Sequence, residues 1–277
     1  MTALARIDWK RWWLVILGGS IVGIILLTAI FARWMAPLSP FNLDVVQMLK
    51  PPSSSHWLGT DELGRDTLSR TIYAAQISMQ VAVIAAGVGL LFGMLIGVTA
   101  AYFGGWVDLA LMRLMEVLFC FPAILLAVVL MASLGTNIFN AMLAIGIVFI
   151  PGFARLARAS TEVVLREQYV EAARAVGMGH TRIILREILP NIVAPLLVEA
   201  AVAFSYAILL ESALSFLGLG AQPPDPSWGN MLNTGRGFMS QAPWLSIVPG
   251  MAIFVTVLGF NLLGDGLRDV LDPHLRD

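Results

Sequence analysis

Six apolar runs constrain this chain more than any other feature of it. They fall at residues 12–34, 80–103, 114–134, 138–155, 195–218 and 245–264. A helix crossing about 30 Å of hydrocarbon needs about 20 such residues at about 1.5 Å rise. Backbone amides in hydrocarbon must bond to one another, so runs of this length fold as spanning helices. Only 13% of the residues are charged and the net charge is −1, against about 25% charged in soluble domains. The expectation is an all-α integral membrane protein with six transmembrane helices, seated in a lipid bilayer and with no nucleic acid among its partners.

The first run follows Arg6, Lys10 and Arg11, as a secretory signal would. It is longer than a signal core of about 7 to 15 residues and lacks a small-residue cleavage site, so it reads as a retained anchor. The basic residues orient the rest. With the N-terminus inside, Arg6, Lys10, Arg11, Arg113, Arg155, Arg158, Arg166, Arg174, Arg182, Arg186, Arg268 and Arg276 are cytoplasmic, twelve of 17. Arg33, Lys50, Arg65, Arg70 and Arg236 lie outside. The positive-inside preference therefore places both termini in the cytoplasm.

This topology divides the chain. Residues 1–34 hold the cytoplasmic N-terminus and first span, and 35–79 an external loop. The loop begins as Pro- and Ser-rich extended chain, and from Asp61 onward Leu63, Leu68, Ile72 and Ile77 predict an amphipathic helix on the outer interface. Residues 80–264 form a five-helix core that includes a cytoplasmic segment, 156–192, and 265–277 are a cytoplasmic tail. Gly104 and Gly105 predict a tight inner turn, with Tyr102 and Trp106 at the interface.

Several chemistries are excluded or disfavoured. A phosphate-binding Walker loop needs Gly-Lys-Ser/Thr, and the only lysines, Lys10 and Lys50, follow Trp9 and Leu49. The chain is therefore not its own ATPase. His56, His180 and His274 fall on opposite sides of the membrane without HExxH spacing, so no metal centre is expected. No G-x-S-x-G marks a serine hydrolase, and Cys120, the single cysteine, reads as a packing residue.

The stretch "YVEAARAVGMGHTRIILREILPN", residues 169–191, is polar within this apolar chain. Tyr169 to Val176 predict one short helix, Gly177 and Gly179 a break, and Thr181 to Leu189 a second helix stopped at Pro190. Ala172, Ala173 and Ala175 leave a small flat face flanked by Glu171, Arg174, Arg182 and Arg186. From residues alone this is either a docking knob or a solvated loop between spans.

"EAARAVGMGHTRIILREILP" resembles the cytoplasmic signature of permease subunits of bacterial ATP-binding cassette importers, in which this segment is the coupling helix that docks on an ATPase subunit. Glu171, Ala172, Ala173, Gly177, Leu189 and Pro190 match that signature, with one departure in that Ile188 directly abuts Leu189. "HWLGTDELGRDTLSR" from His56, "LSFLGLGAQPPDPSWGNML" from Leu214 and "FNLLGDGLRDVLDPHLR" from Phe260 resemble the dipeptide, oligopeptide and nickel branch. The resemblance implies a type I importer core whose first helix wraps its partner, paired with a second homologous permease. It also implies two ATPase subunits, an extracytoplasmic solute-binding protein, no cofactor on this chain, and ATP and Mg²⁺ on the partner subunits.

Within that expectation the path is sought among costly polar groups, since a charge near the midplane costs at least about 2.5 kcal/mol unless it faces protein or water. Glu116 and Glu199 sit near cytoplasmic ends, in reach of water or an arginine. Glu211 lies deeper and is the path candidate, with Ser205, Tyr206 and Asn261. Trp228, Gly229, Gly59, Asp61 and Arg65 are candidates for docking the binding protein. Within this family the solute is a di- or oligopeptide, with nickel chelates, glutathione or another small peptidic solute as alternatives. A secondary transporter or channel is the reading from another class.

Overall fold

A computed structural model describes residues 9–271, and side chains from Trp12 onward. Arg6, His274, Arg276 and the side chains of Lys10 and Arg11 lie outside the described residues. The described chain is all-helical, without a named strand. Helix α1 spans Trp9–Ile30, followed by a short α2, Ala32–Met35. A long external strap leads to α3, Thr67–Phe103. Then come α4, Gly105–Phe119; α5, Ala123–Leu134; and α6, Ile138–Val164. On the cytoplasmic side lie α7, Gln168–Ala175, and α8, His180–Ile183, which continues through a π turn, Ile184–Ile188, into α9, Leu189–Phe216. An outer α10, Trp228–Gly235, precedes α11, Trp244–Leu271.

Five helices are long and apolar enough to cross a membrane, and the bent pair α4–α5 makes a sixth if taken as one span. The expected third span, 114–134, is thus corrected: α4 and α5 meet at 92°. Pro122 caps α5 and has no N–H to continue the α4 ladder, so the helix breaks there. The expected inner turn is present, with Gly104 and Gly105 at φ 62° and 53°.

The separate interfacial helix expected from Asp61 is also corrected. Residues 67–79 are the first turns of α3, a single helix of 37 residues, about 55 Å at about 1.5 Å per residue. No Gly or Pro intervenes before Gly87, so nothing ends the helix between its amphipathic and apolar parts. Asp66 caps it, accepting from the Ser69 N–H at 2.8 Å.

The core forms around the α3–α6 crossing. Gly89, Gly93 and Gly97 line one stripe of α3, and Phe149, Phe153 and Ala154 of α6 press against it. A Cβ at Gly89 would stand 2.6 Å from that of Phe149, and one at Gly97 would collide with the Ala154 carbonyl. Lipid tails are as apolar as leucine, so close backbone approach of this kind, rather than hydrophobicity, holds spanning helices together. The first helix uses the same device within its own chain. Gly259 and Gly266 of α11 open a groove for Ile21 and Val15 of α1, so α1 lies along α11.

Candidate functional site

The cytoplasmic hairpin is built from a buried and an outward face. Val170, Ala173, Ile183, Ile188 and Ile192 are buried in a cluster with Val98 of α3 and Ala157 and Val164 of α6. Glu171, Ala172, Arg174, Ala175 and Val176 face outward, Val176 with 79% of its surface exposed. The flat alanine face expected from sequence is therefore corrected in one member: Ala173 points inward. Gly177, at φ 78°, ends α7, and the N–H of Met178 donates to the Ala173 carbonyl at 3.0 Å. This is the left-handed closure that favours glycine.

The second limb departs from expectation at Pro190, which does not stop the helix. The chain runs unbroken from His180 to Phe216. A proline ring displaces the carbonyl four residues back and offers no N–H. The π turn Ile184–Ile188 widens the helix just there, so Pro190 sits at the start of α9 without a break. Leu189 is half-buried and Pro190 exposed. The second limb of the hairpin and the span are thus one continuous helix.

Both limbs meet α3 at Tyr102. Its hydroxyl is 2.8 Å from His180 Nδ1, and the Arg174 guanidinium lies 5.7 Å from its ring centroid. Nearby, Arg158 of α6 holds Asp108 of α4 with bonds of 2.6 and 2.7 Å. Glu116 pairs with Arg113 at 2.8 Å, in reach of an arginine as expected.

On the outer side the strap is a knot of buried polar groups. Asp61 accepts from the N–H groups of Leu63 and Arg65, both at 2.9 Å, and from Arg65 Nε at 2.7 Å. Arg70 Nη1 donates to the Pro40 carbonyl at 3.2 Å, tying the strap to α3. Burial, then the neighbouring Asp61 charge, pushes the Glu62 carboxyl above the usual carboxylate range. Trp244 Nε1 donates to the Thr60 carbonyl and Trp228 Nε1 to that of Thr71, at 3.2 and 3.1 Å.

The family description "binding-protein-dependent transport system inner membrane component" matches residues 89–277. The dipeptide transport system permease protein DppC of Alkalihalophilus pseudofirmus is 44% identical over 262 residues, covering 93% of this chain and 86% of that protein. The glutathione transport system permease protein GsiD of Escherichia coli O157:H7 is 44% identical over 279 residues, covering 98% and 92%. The chain belongs to this family of importer permeases. A crystal structure of an amino acid ABC transporter with histidines shares the fold, at TM-score 0.56 and 20% identity over 71% of this chain and 92% of that one. The protein is a multi-pass permease of the inner membrane.

The five docking candidates of this permease prove to be internal. Gly59, Asp61, Arg65, Trp228 and Gly229 are buried and hold the outer cap together, so they present no surface of their own. Gly59 packs on the Trp244 indole and Gly229 on the Ser212 backbone, where side chains do not fit. The exposed part of the cap is mixed, with Val45 and Val46 exposed by 76% and 79% beside the exposed polar residues Asn42, Asp44 and Lys50.

The four path candidates are split. Glu211 is 0% exposed and lines no open path in this permease chain: Ser215 Oγ donates to it at 2.7 Å and Ser78 Oγ at 3.4 Å. The cost of placing a carboxyl in a span is relieved inside the protein. Ser205 is buried too, donating to the Val257 carbonyl at 3.3 Å. Tyr206 and Asn261 are exposed. The sequence reading missed the serine cage, the Tyr102–His180 contact and the glycine stripe. Only the last carried a local signal, its four-residue spacing.

Proposed function

We propose that this permease forms half of the translocation path of an importer for di- or oligopeptides. It pairs with a second homologous permease, receives solute from an extracytoplasmic binding protein, and is driven by two ATPase subunits that hold ATP and Mg²⁺. The 171–190 hairpin is its coupling element. One observation carries this reading: an outward knob of Ala172, Ala175 and Val176, flanked by Glu171 and Arg174, is joined by a short glycine turn to the unbroken helix His180–Phe216 and latched to α3 through Tyr102. A partner that moves the knob biases both spans, as mechanical coupling between distant sites requires.

The likeness to the dipeptide permease supports a peptide solute. That to the glutathione permease, equal in identity, favours a second reading in which the solute is glutathione. The test is purification from native membranes in mild detergent, identification of the accompanying chains, and ATP-driven uptake into vesicles supplied with the binding protein. Labelled dialanine and labelled glutathione are compared. Co-purified ATPases with dialanine uptake establish the first reading, and glutathione uptake alone the second. Flux driven by an ion gradient with no ATPase recovered would overturn both.

A further inference from the structure

The last third of α11 touches the middle of α9. Gly264 is the contact, its Cβ position 3.4 Å from the Cβ of Ala201 and 3.5 Å from Val202. The Ser205 bond to the Val257 carbonyl, at 3.3 Å, closes the pair further out. Below this point a cleft of about 510 Å³ opens between α9, α11 and Leu156 of α6. That lies within the range of about 300–1,000 Å³ seen for small-molecule sites.

The lining of the cleft is chemically divided. Val198, Val202, Leu156 and Leu271 give apolar walls, and Glu199, Asp265 and Arg268 supply the charge. Glu199 is half-buried, while Asp265 and Arg268 are exposed. Two carboxylates and one guanidinium against an apolar wall complement a ligand that carries an ammonium, a carboxylate and an apolar body. A buried carboxylate interacts more strongly with an ammonium than a solvated one does, because the local dielectric is lower.

We infer that this cleft is a cytoplasmic-side binding site for the free-amino zwitterion of a short peptide, with the ammonium at Glu199 and Asp265 and the carboxylate at Arg268. The inference rests on the peptide reading above and adds where the solute is held on the inner side. It identifies Glu199, half-buried and near the cytoplasmic end of its span, as the group that selects for a free amino terminus.

The experiment uses the complete importer in nanodiscs, without nucleotide or binding protein, and measures equilibrium binding of labelled alanyl-leucine. Saturable binding is expected. It should weaken at least tenfold in the Glu199→Gln, Asp265→Asn double variant, and N-acetyl-alanyl-leucine should compete at least tenfold less well than the free peptide. Retained basal ATP hydrolysis by the variant complex shows that it is assembled. Equal binding by wild type and variant, equal competition by the acetylated peptide, or no saturable binding each overturns the site. So does enrichment of phosphatidylethanolamine at the cleft that excludes the peptide. Peptide uptake by the wild-type importer, measured in parallel, separates the two failures: without it the peptide reading falls, and with it only the cleft assignment does.

Discussion

The hydroxyl of Tyr102, 2.8 Å from His180 Nδ1, joins the end of α3 to the start of the hairpin's second limb. A neutral hydrogen bond is worth about 1 kcal/mol, about fivefold in an equilibrium. Tyr102→Phe keeps the ring under Arg174 and loses only this bond. Uptake is expected to fall about fivefold, with membrane insertion and basal ATP hydrolysis unchanged, and unchanged uptake would remove Tyr102 from the coupling route. Glu211 has a different role. Its carboxyl satisfies Ser215 and Ser78 inside the protein, so Glu211→Leu strands buried hydroxyls at about 1–3 kcal/mol. Glu211→Gln keeps an acceptor and should lower the unfolding midpoint in detergent by less than the leucine variant does. Equal midpoints for the two would mean the cage contributes nothing.

At the level of elements, the α3–α6 crossing and the hairpin make separable demands. A side chain at Gly97 meets the Ala154 carbonyl, whereas one at Gly23 of α1 meets nothing within 4 Å. Gly97→Leu should therefore sharply reduce folded protein in the membrane fraction while Gly23→Leu leaves it unaffected; similar yields would refute backbone packing as the source of cohesion. Gly177 sits at φ 78°, which proline cannot adopt. Gly177→Pro should abolish uptake while leaving the protein inserted, and ATP-driven uptake at the wild-type rate would contradict the coupling assignment. The spans were legible because hydrophobic length is a local property of sequence. So was the hairpin, through its glycines. The bend at Pro122 was equally local, but it was hidden by apolar residues on both sides. Pro190 misled because a π turn, which no residue pattern announces, absorbs it. The outer-cap residues misled for a third reason: Trp228 and Asp61 are amphipathic or polar residues in stretches rich in Gly and Pro, and only their contacts with Thr71 and Arg70 of α3 reveal that they face inward. Glu211 likewise needed Ser78, far away in sequence, to become a buried core group.

At the scale of the whole molecule, α3 is the member that reaches both faces. Its first turns hold the outer strap through Ser69 and Arg70, and its last turn holds the hairpin through Tyr102. Its 37 residues run as one unbroken helix, so the strap and the hairpin are held by the two ends of a single element. This connection has meaning only if strap and hairpin lie on opposite sides of the membrane, which rests on the bias of basic residues. The topology is open to direct measurement. Cys120 is the only cysteine, so Cys120→Ser leaves a background for Val46→Cys on the strap and Val176→Cys on the hairpin, both side chains being 79% exposed. A membrane-impermeant maleimide should label the first in intact cells, after the outer envelope is made porous, and the second only when the inner membrane is opened. Labelling of both in intact cells would place hairpin and strap on one side, and a rod linking a solute-receiving face to an ATPase-facing one would then be impossible.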